Sequence, residues 1–138
     1  MMQVTTEKKL LPDDLMTHSA ASVLVTACHG SAFNAGWWHD IKTGECLIGK
    51  RNVGELLCLV HSEISEAMEG HRKGLMDDHL PHRSMIEVEL ADAMIRICDL
   101  GGSLGLDLAG AIVEKLAYNA KRADHKPENR LADGGKKY

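Results

Sequence analysis

Aromatic side chains make up only 4% of this 138-residue chain: two Trp, two Tyr and one Phe. Rings at that density cannot build a core, so the 44% of apolar residues implies one made from Leu, Ile, Val, Ala and Met. Excess positive charge is missing too. A formal net charge of -4 gives none of the basic footprint of a general nucleic-acid binder, and no nucleic-acid partner is expected. No stretch approaches the roughly 18 consecutive apolar residues of a membrane span. The N-terminus, MMQVTTEKKLLPDDL, lacks the apolar run of a signal peptide. Cys28, Cys46, Cys58 and Cys98 form no CxxC or other zinc spacing, and two of them fall inside helical patterns, which points to reduced thiols. These absences together imply a cytoplasmic protein with no membrane partner. There is no internal repeat and no low-complexity tract, and the length suits one domain.

Sustained period-2 alternation of β-branched residues is also absent, and four helical segments stand out instead. The first is expected from Pro12-Asp13 to about Cys28, before Gly30. A loop rich in Gly, Asn and Trp follows, up to Arg51. Asn52, with Glu55 three positions on, fits an N-cap for the second helix, which should end around Gly70 to Gly74. Ser84-Met-Ile-Glu87 is a capping box opening the third, and Gly101-Gly102 is expected to end it. Asp107 is a candidate cap for a fourth helix running to about Arg122. The expected fold class is all-α, a four-helix-type bundle in one domain, 1–138. Its core spans about 13–122 and its tail, 123–138, is expected to be irregular.

Acidic residues then appear where a core is expected. In HSEISEAMEG (61–70), Glu63 projects inside the apolar arc of Leu56, Leu59, Val60, Ile64, Ala67 and Met68. Glu66 lies at the edge of that arc, and Glu55 and Glu69 on the polar side. The third helix is apolar on one side through Ile86, Leu90, Ala93, Met94, Ile97 and Leu100. Val88, Ala91, Ile95 and Cys98 cover most of the other. Glu89, Asp92, Arg96 and Asp99 share one stripe, about 80° wide by the helical period. A helix apolar nearly all round is usually buried, so the stripe faces a thin strip of solvent or an internal site. A lone ExxE pair belongs most often to a solvated face. Two pairs on neighbouring helices need compensation, because buried like charges repel and lose hydration. Metal cations supply it, and an all-oxygen ligand set suits Mg²⁺ or Mn²⁺. A di-iron bundle would need Glu-x-x-His, and no Glu here is followed three positions later by His.

On the fourth helix Lys115, Asn119 and Arg122 share one face at i, i+4, i+7, beside the arc of Leu108, Ile112 and Leu116. Such a row is either a solvated basic edge or a phosphate clamp. Trp37, Trp38 and Asn34 lie in a loop suited to stacking and hydrogen bonding with a ligand, or a Trp simply covers the bundle end. His61 points away from Glu63 and is expected on the surface. His79 and His82, beside Asp77 and Asp78, fit a loop or interface role better than a metal site. Lys136 and Lys137 either close over phosphate or belong to a loose tail.

Taken in order, Glu63-Ile-Ser-Glu66, Glu89-Leu-Ala-Asp92, the GWWHD loop, KLAYNAKR (115–122) and the ending DGGKKY resemble the MazG-like nucleotide pyrophosphohydrolases, all-α NTP pyrophosphatases. The resemblance runs from about Gly36 to the C-terminus. It implies a helical bundle assembled as a homodimer or homotetramer, with Mg²⁺ held by Glu63, Glu66, Glu89 and Asp92 and Mn²⁺ able to substitute. It implies a (d)NTP substrate split into (d)NMP and pyrophosphate, Glu63 or Glu66 as proton acceptor, and Lys115, Asn119 and Arg122 on phosphate or sugar. A purine such as dGTP is the first expectation for the base, then dCTP or dUTP. The rival readings are a non-catalytic helical interaction module with solvated acids, and a regulator that holds metal and nucleotide without turnover.

Overall fold

The structure, a computed structural model, describes residues 11–137. It is all-helical: α1 (Asp14–Asn34), α2 (Val53–Lys73), α3 (Met85–Ser103), α4 (Leu108–Lys121), a 3-10 turn at Ala123–His125, and α5 (Pro127–Leu131). No strand forms among the described residues. Only two isolated antiparallel bridges occur, His39 with Cys46 and Met76 with Ser84. By internal contacts the chain divides into two units, Met1–Ala21 with Ala109–Tyr138, and Ser22–Leu108.

Two of the helix starts expected from capping show their cap bonds. Asn52 Oδ1 accepts from Glu55 N at 3.2 Å, and the Ser84 hydroxyl accepts from Glu87 N at 3.4 Å. α2 stops at Gly74, whose φ of +63 closes a left-handed cap. Two expected helix ends are displaced, for a common reason. A glycine stops a helix only where the chain turns left-handed. Gly30 does not, so α1 continues to Asn34 and the turn falls at Gly36, φ +88. Gly101 and Gly102 stay helical, and Gly105 makes the turn at φ +65. Their lack of a side chain serves close approach instead. A Cβ on Gly102 would lie 2.6 Å from His29 Cβ, and one on Gly101 would lie 3.2 Å from Leu108. The tail is also more ordered than expected. Arg122 is ion-paired to Asp124, Pro127 opens α5, and Arg130 donates to the Lys136 and Lys137 carbonyls.

In the Ser22–Leu108 unit, α2 packs against α3 as an antiparallel hairpin. The connection sets the register. Leu75 N donates to Gly70 O, Met85 N to Leu75 O at 2.9 Å, and Asp77 N to Arg83 O at 3.0 Å. Asp77 is buried and its Oδ1 accepts from His79 N and Leu80 N, so this acid folds the loop. His79 and His82 are exposed, as expected of a loop role. Small side chains, Ala67 on α2 and Ala93 on α3, are buried at the contact, with Cys98 and Leu100 beyond.

The expectation that α3 is buried all round is corrected. Leu90, Met94, Ile95 and Ile97 are exposed, as are Leu57, Ile64 and Met68 on α2. Two helices can cover only one stripe of each other, and α3 carries two.

Gly102→Ala should lower stability by about 1–3 kcal/mol, because α1 must shift away from the new methyl. Gly30→Ala meets nothing within 4 Å and should raise stability by about 1 kcal/mol through helix propensity. Urea titrations of the two variants check both signs.

Candidate metal centre

The hairpin register brings together side chains that lie far apart in sequence. Glu63 of α2 faces Glu89, Asp92 and Arg96 of α3. Glu63 is 6% exposed, the most buried acid of the group. Its Oε1 accepts from Arg96 Nε at 2.5 Å, while the Arg96 side chain is itself 43% exposed. One oxygen each from Glu63, Glu89 and Asp92 lies within 4.8 Å of the others. Around an octahedral ion with bonds of about 2.1 Å, ligand oxygens stand about 3 to 4 Å apart. The three carboxylates need only modest side-chain adjustment to reach that spacing, so the donor set fits a hard divalent cation. Glu66 is exposed at the margin. It stands outside the tight trio. His61 is exposed, as expected, and Glu69 is committed elsewhere, to Arg72 and Lys73.

Crowding of like charge leaves its mark on proton affinity. Burial, hydrogen bonding to Glu63 and repulsion from Glu66, Glu63 and Asp92 push the Glu89 carboxyl up to about 7. Glu66 is raised by its hydrogen bond to Glu63, by desolvation and by the Glu63 charge, with Arg96 opposing. Asp92 is raised by desolvation and by Glu63, again with Arg96 opposing.

A cavity of about 460 Å³ opens beside the carboxylates. Its walls include Glu63, Asp92 and Arg96 from the helices and Trp37, Trp38 and Arg51 from the preceding loop. That loop is held by a short hairpin. Leu47 N donates to Trp38 O and Asp40 N to Glu45 O, both at 2.8 Å, and Gly44 turns at φ +72. Asp40 Oδ1 accepts from Lys42 N, Thr43 N and the Thr43 hydroxyl.

The two tryptophans divide the roles that the sequence left open. Trp38 is 2% exposed, and its Nε1 donates to Asp99 Oδ1 at 2.8 Å. His29 Nδ1 lies 2.8 Å from the same oxygen. The Arg51 guanidinium sits 5.2 Å from the Trp38 ring centroid. Trp38 is therefore a structural wall. Trp37 is 69% exposed and free to meet a ligand. Asn34 ends α1, is exposed and does not line the cavity.

Lys115, Asn119 and Arg122 belong to the other unit, where Lys115 and Arg122 have local partners. Lys115 Nζ lies 4.6 Å from the Tyr118 ring centroid, Arg122 pairs with Asp124, and Asn119 Oδ1 is buried with no hydrogen-bond partner among the described residues. Sequence reasoning passed over Arg51, the Trp38–Asp99–His29 cluster, and the pairing of Arg96 with Glu63. Arg96 and Asp99 carried a signal, as members of the polar stripe on α3. Arg51 carried none.

Compared with models of known protein families, with curated proteins and with solved structures, the chain matches none.

The raised carboxyls set a pH dependence. Between its ordinary value of 4.5 and about 7, Glu89 holds a proton in the folded state that the unfolded chain releases. Stability therefore falls as pH rises through that window and levels off above it. Metal-free protein should lose stability from pH 4.5 to 7, and Glu89→Gln should flatten that slope. Chemical denaturation across the range, wild type against variant, measures it.

Proposed function

We propose that this chain is a Mg²⁺-dependent nucleoside triphosphate pyrophosphohydrolase, with Mn²⁺ able to replace Mg²⁺. The observation that carries the reading is the trio Glu63, Glu89 and Asp92, three oxygen donors within 4.8 Å of one another, two of which, Glu63 and Asp92, line a 460 Å³ cavity. A bound divalent ion would supply polarised phosphoryl oxygens and a more acidic water for in-line displacement. The chain's own residues do the rest. Glu63, Glu89 and Asp92 hold the ion, with Glu66 completing the set. One of Glu63 and Glu66 takes the water's proton. Trp37 offers its exposed ring to the base. A cavity of this size suits a nucleoside, and a purine such as that of dGTP makes fullest use of a stacking face. By the resemblance, Lys115, Asn119 and Arg122 contact phosphate or sugar, and the protein works as a homodimer or homotetramer in the cytoplasm. The exposed apolar side chains of α2 and α3 favour such an assembly.

The same exposed surface favours a second reading, a non-catalytic helical interaction module. That reading gives the clustered carboxylates no task and expects no response of stability to metal. The enzyme reading expects stabilisation by metal and nucleotide together through linkage.

Incubation with each of the eight common NTPs and dNTPs and Mg²⁺, with products separated by chromatography, tests the proposal. Monophosphate and pyrophosphate are expected. Orthophosphate without pyrophosphate excludes cleavage between the α and β phosphates. Glu63→Gln and Asp92→Asn should each abolish turnover with helicity intact by circular dichroism. Trp37→Ala should raise KM more than it lowers kcat.

A further inference from the structure

We propose that Arg96 is a built-in counter-cation for Glu63, displaced when a divalent ion loads the carboxylates and thereby released toward the cavity. This inference rests on the metal reading above and adds a residue that the reading did not assign.

Glu63 is the most enclosed acid of the cluster, and its neighbours Glu66, Glu89 and Asp92 are all acidic. A carboxylate so placed needs a cation. The one in hydrogen-bonding contact is the Arg96 guanidinium. Arg96 follows Glu89 by seven residues and Asp92 by four on α3, so it rides the same stripe and reaches the same face of α2. A divalent ion on Glu63 competes for the carboxylate's lone pairs and repels the guanidinium. Both cannot be bound at full strength.

Two features make the arginine the mobile member. Its side chain is 43% exposed, so it can turn away without crossing packed atoms. The α2–α3 register also does not depend on it, being set by the Gly70–Leu75–Met85 connection and by Asp77. The place it can turn to is defined. Arg96 and Arg51 both line the cavity, and two guanidinium groups there suit a polyphosphate anion. Loading the metal thus makes the cavity more anion-seeking in two ways, by the ion's own charge and by the arginine it frees.

The test is metal binding, not turnover. Mn²⁺ is titrated into wild type and Arg96→Gln by calorimetry without nucleotide, with Arg96→Met as a second neutral variant should the first fail to fold. The neutral variant is expected to bind Mn²⁺ more tightly, on the order of three- to tenfold, because the ion no longer displaces a charged hydrogen bond. Its midpoint without metal should fall below wild type, and Mn²⁺ should narrow the gap. In saturating Mn²⁺, a non-hydrolysable triphosphate analogue should bind the variant more weakly than wild type. If wild type binds Mn²⁺ and the neutral variant binds no tighter, the counter-cation role is overturned while the metal reading stands. Equal analogue affinity overturns the release toward phosphate. If neither protein binds Mn²⁺, the metal reading fails and the arginine's role fails with it.

Discussion

Four carboxylates stand at one helix-to-helix contact, and the free energy of that arrangement governs what the hairpin can be. Bringing Glu63 beside Glu89 and Asp92 costs hydration and adds repulsion. Three things can offset the cost: a proton, an arginine or a metal ion. The arginine stands beside Glu63, and the crowding of charge favours the proton. Glu89 is pushed to about 7, so near neutrality it carries a proton part of the time, and Glu63 accepts from Arg96. An acid cluster serving only as a solvated surface has no need of either, since exposed acids are neutralised by water and salt. The enclosure of Glu63 separates this site from such a surface. It also explains why Glu66, one turn further along α2, is the less constrained partner. Glu66 meets solvent, where water screens its charge.

Much of this was legible in the sequence because it is local or periodic. Asn52 and Ser84 announce helix starts through short-range capping, and both caps form. The helical period put Glu63 within an apolar arc and gathered Glu89, Asp92, Arg96 and Asp99 on one stripe, and those faces do meet. The misreadings share a physical origin. A glycine's role depends on whether the backbone turns left-handed or a neighbour needs space, and neither is visible from the residue itself. Gly30, Gly101 and Gly102 were read as stops, yet two of them admit neighbours, Leu108 beside Gly101 and His29 beside Gly102. The fate of Trp38 was equally hidden. Its wall position follows from Asp99, which lies 61 positions further along the chain. Such a pairing leaves no spacing to read. The basic row on α4 was legible as a row. Its pairing of Arg122 with Asp124 lies where the sequence pattern predicts only an irregular tail.

The apolar faces of the hairpin carry the argument one step further. α3 has two apolar arcs with the acidic stripe between them, and α2 covers only part of this surface. Leu90, Met94 and Ile97 stay exposed on α3, and Ile64 and Met68 on α2. Leaving several large side chains in water forfeits about 1.5–3 kcal/mol for each that could be buried, which is the driving force for a further neighbour. Any helix that settles on those arcs also borders the stripe. It would thin the water over Glu89 and Asp92, lower the local dielectric, and strengthen every interaction there. Repulsion among the carboxylates would grow, and so would their attraction for a divalent ion. On the reading proposed above, assembly and metal loading would be coupled through one helix. An assembly on this face should bind the cation more tightly than the lone chain, and the loaded cation should stabilise the assembly by the same factor.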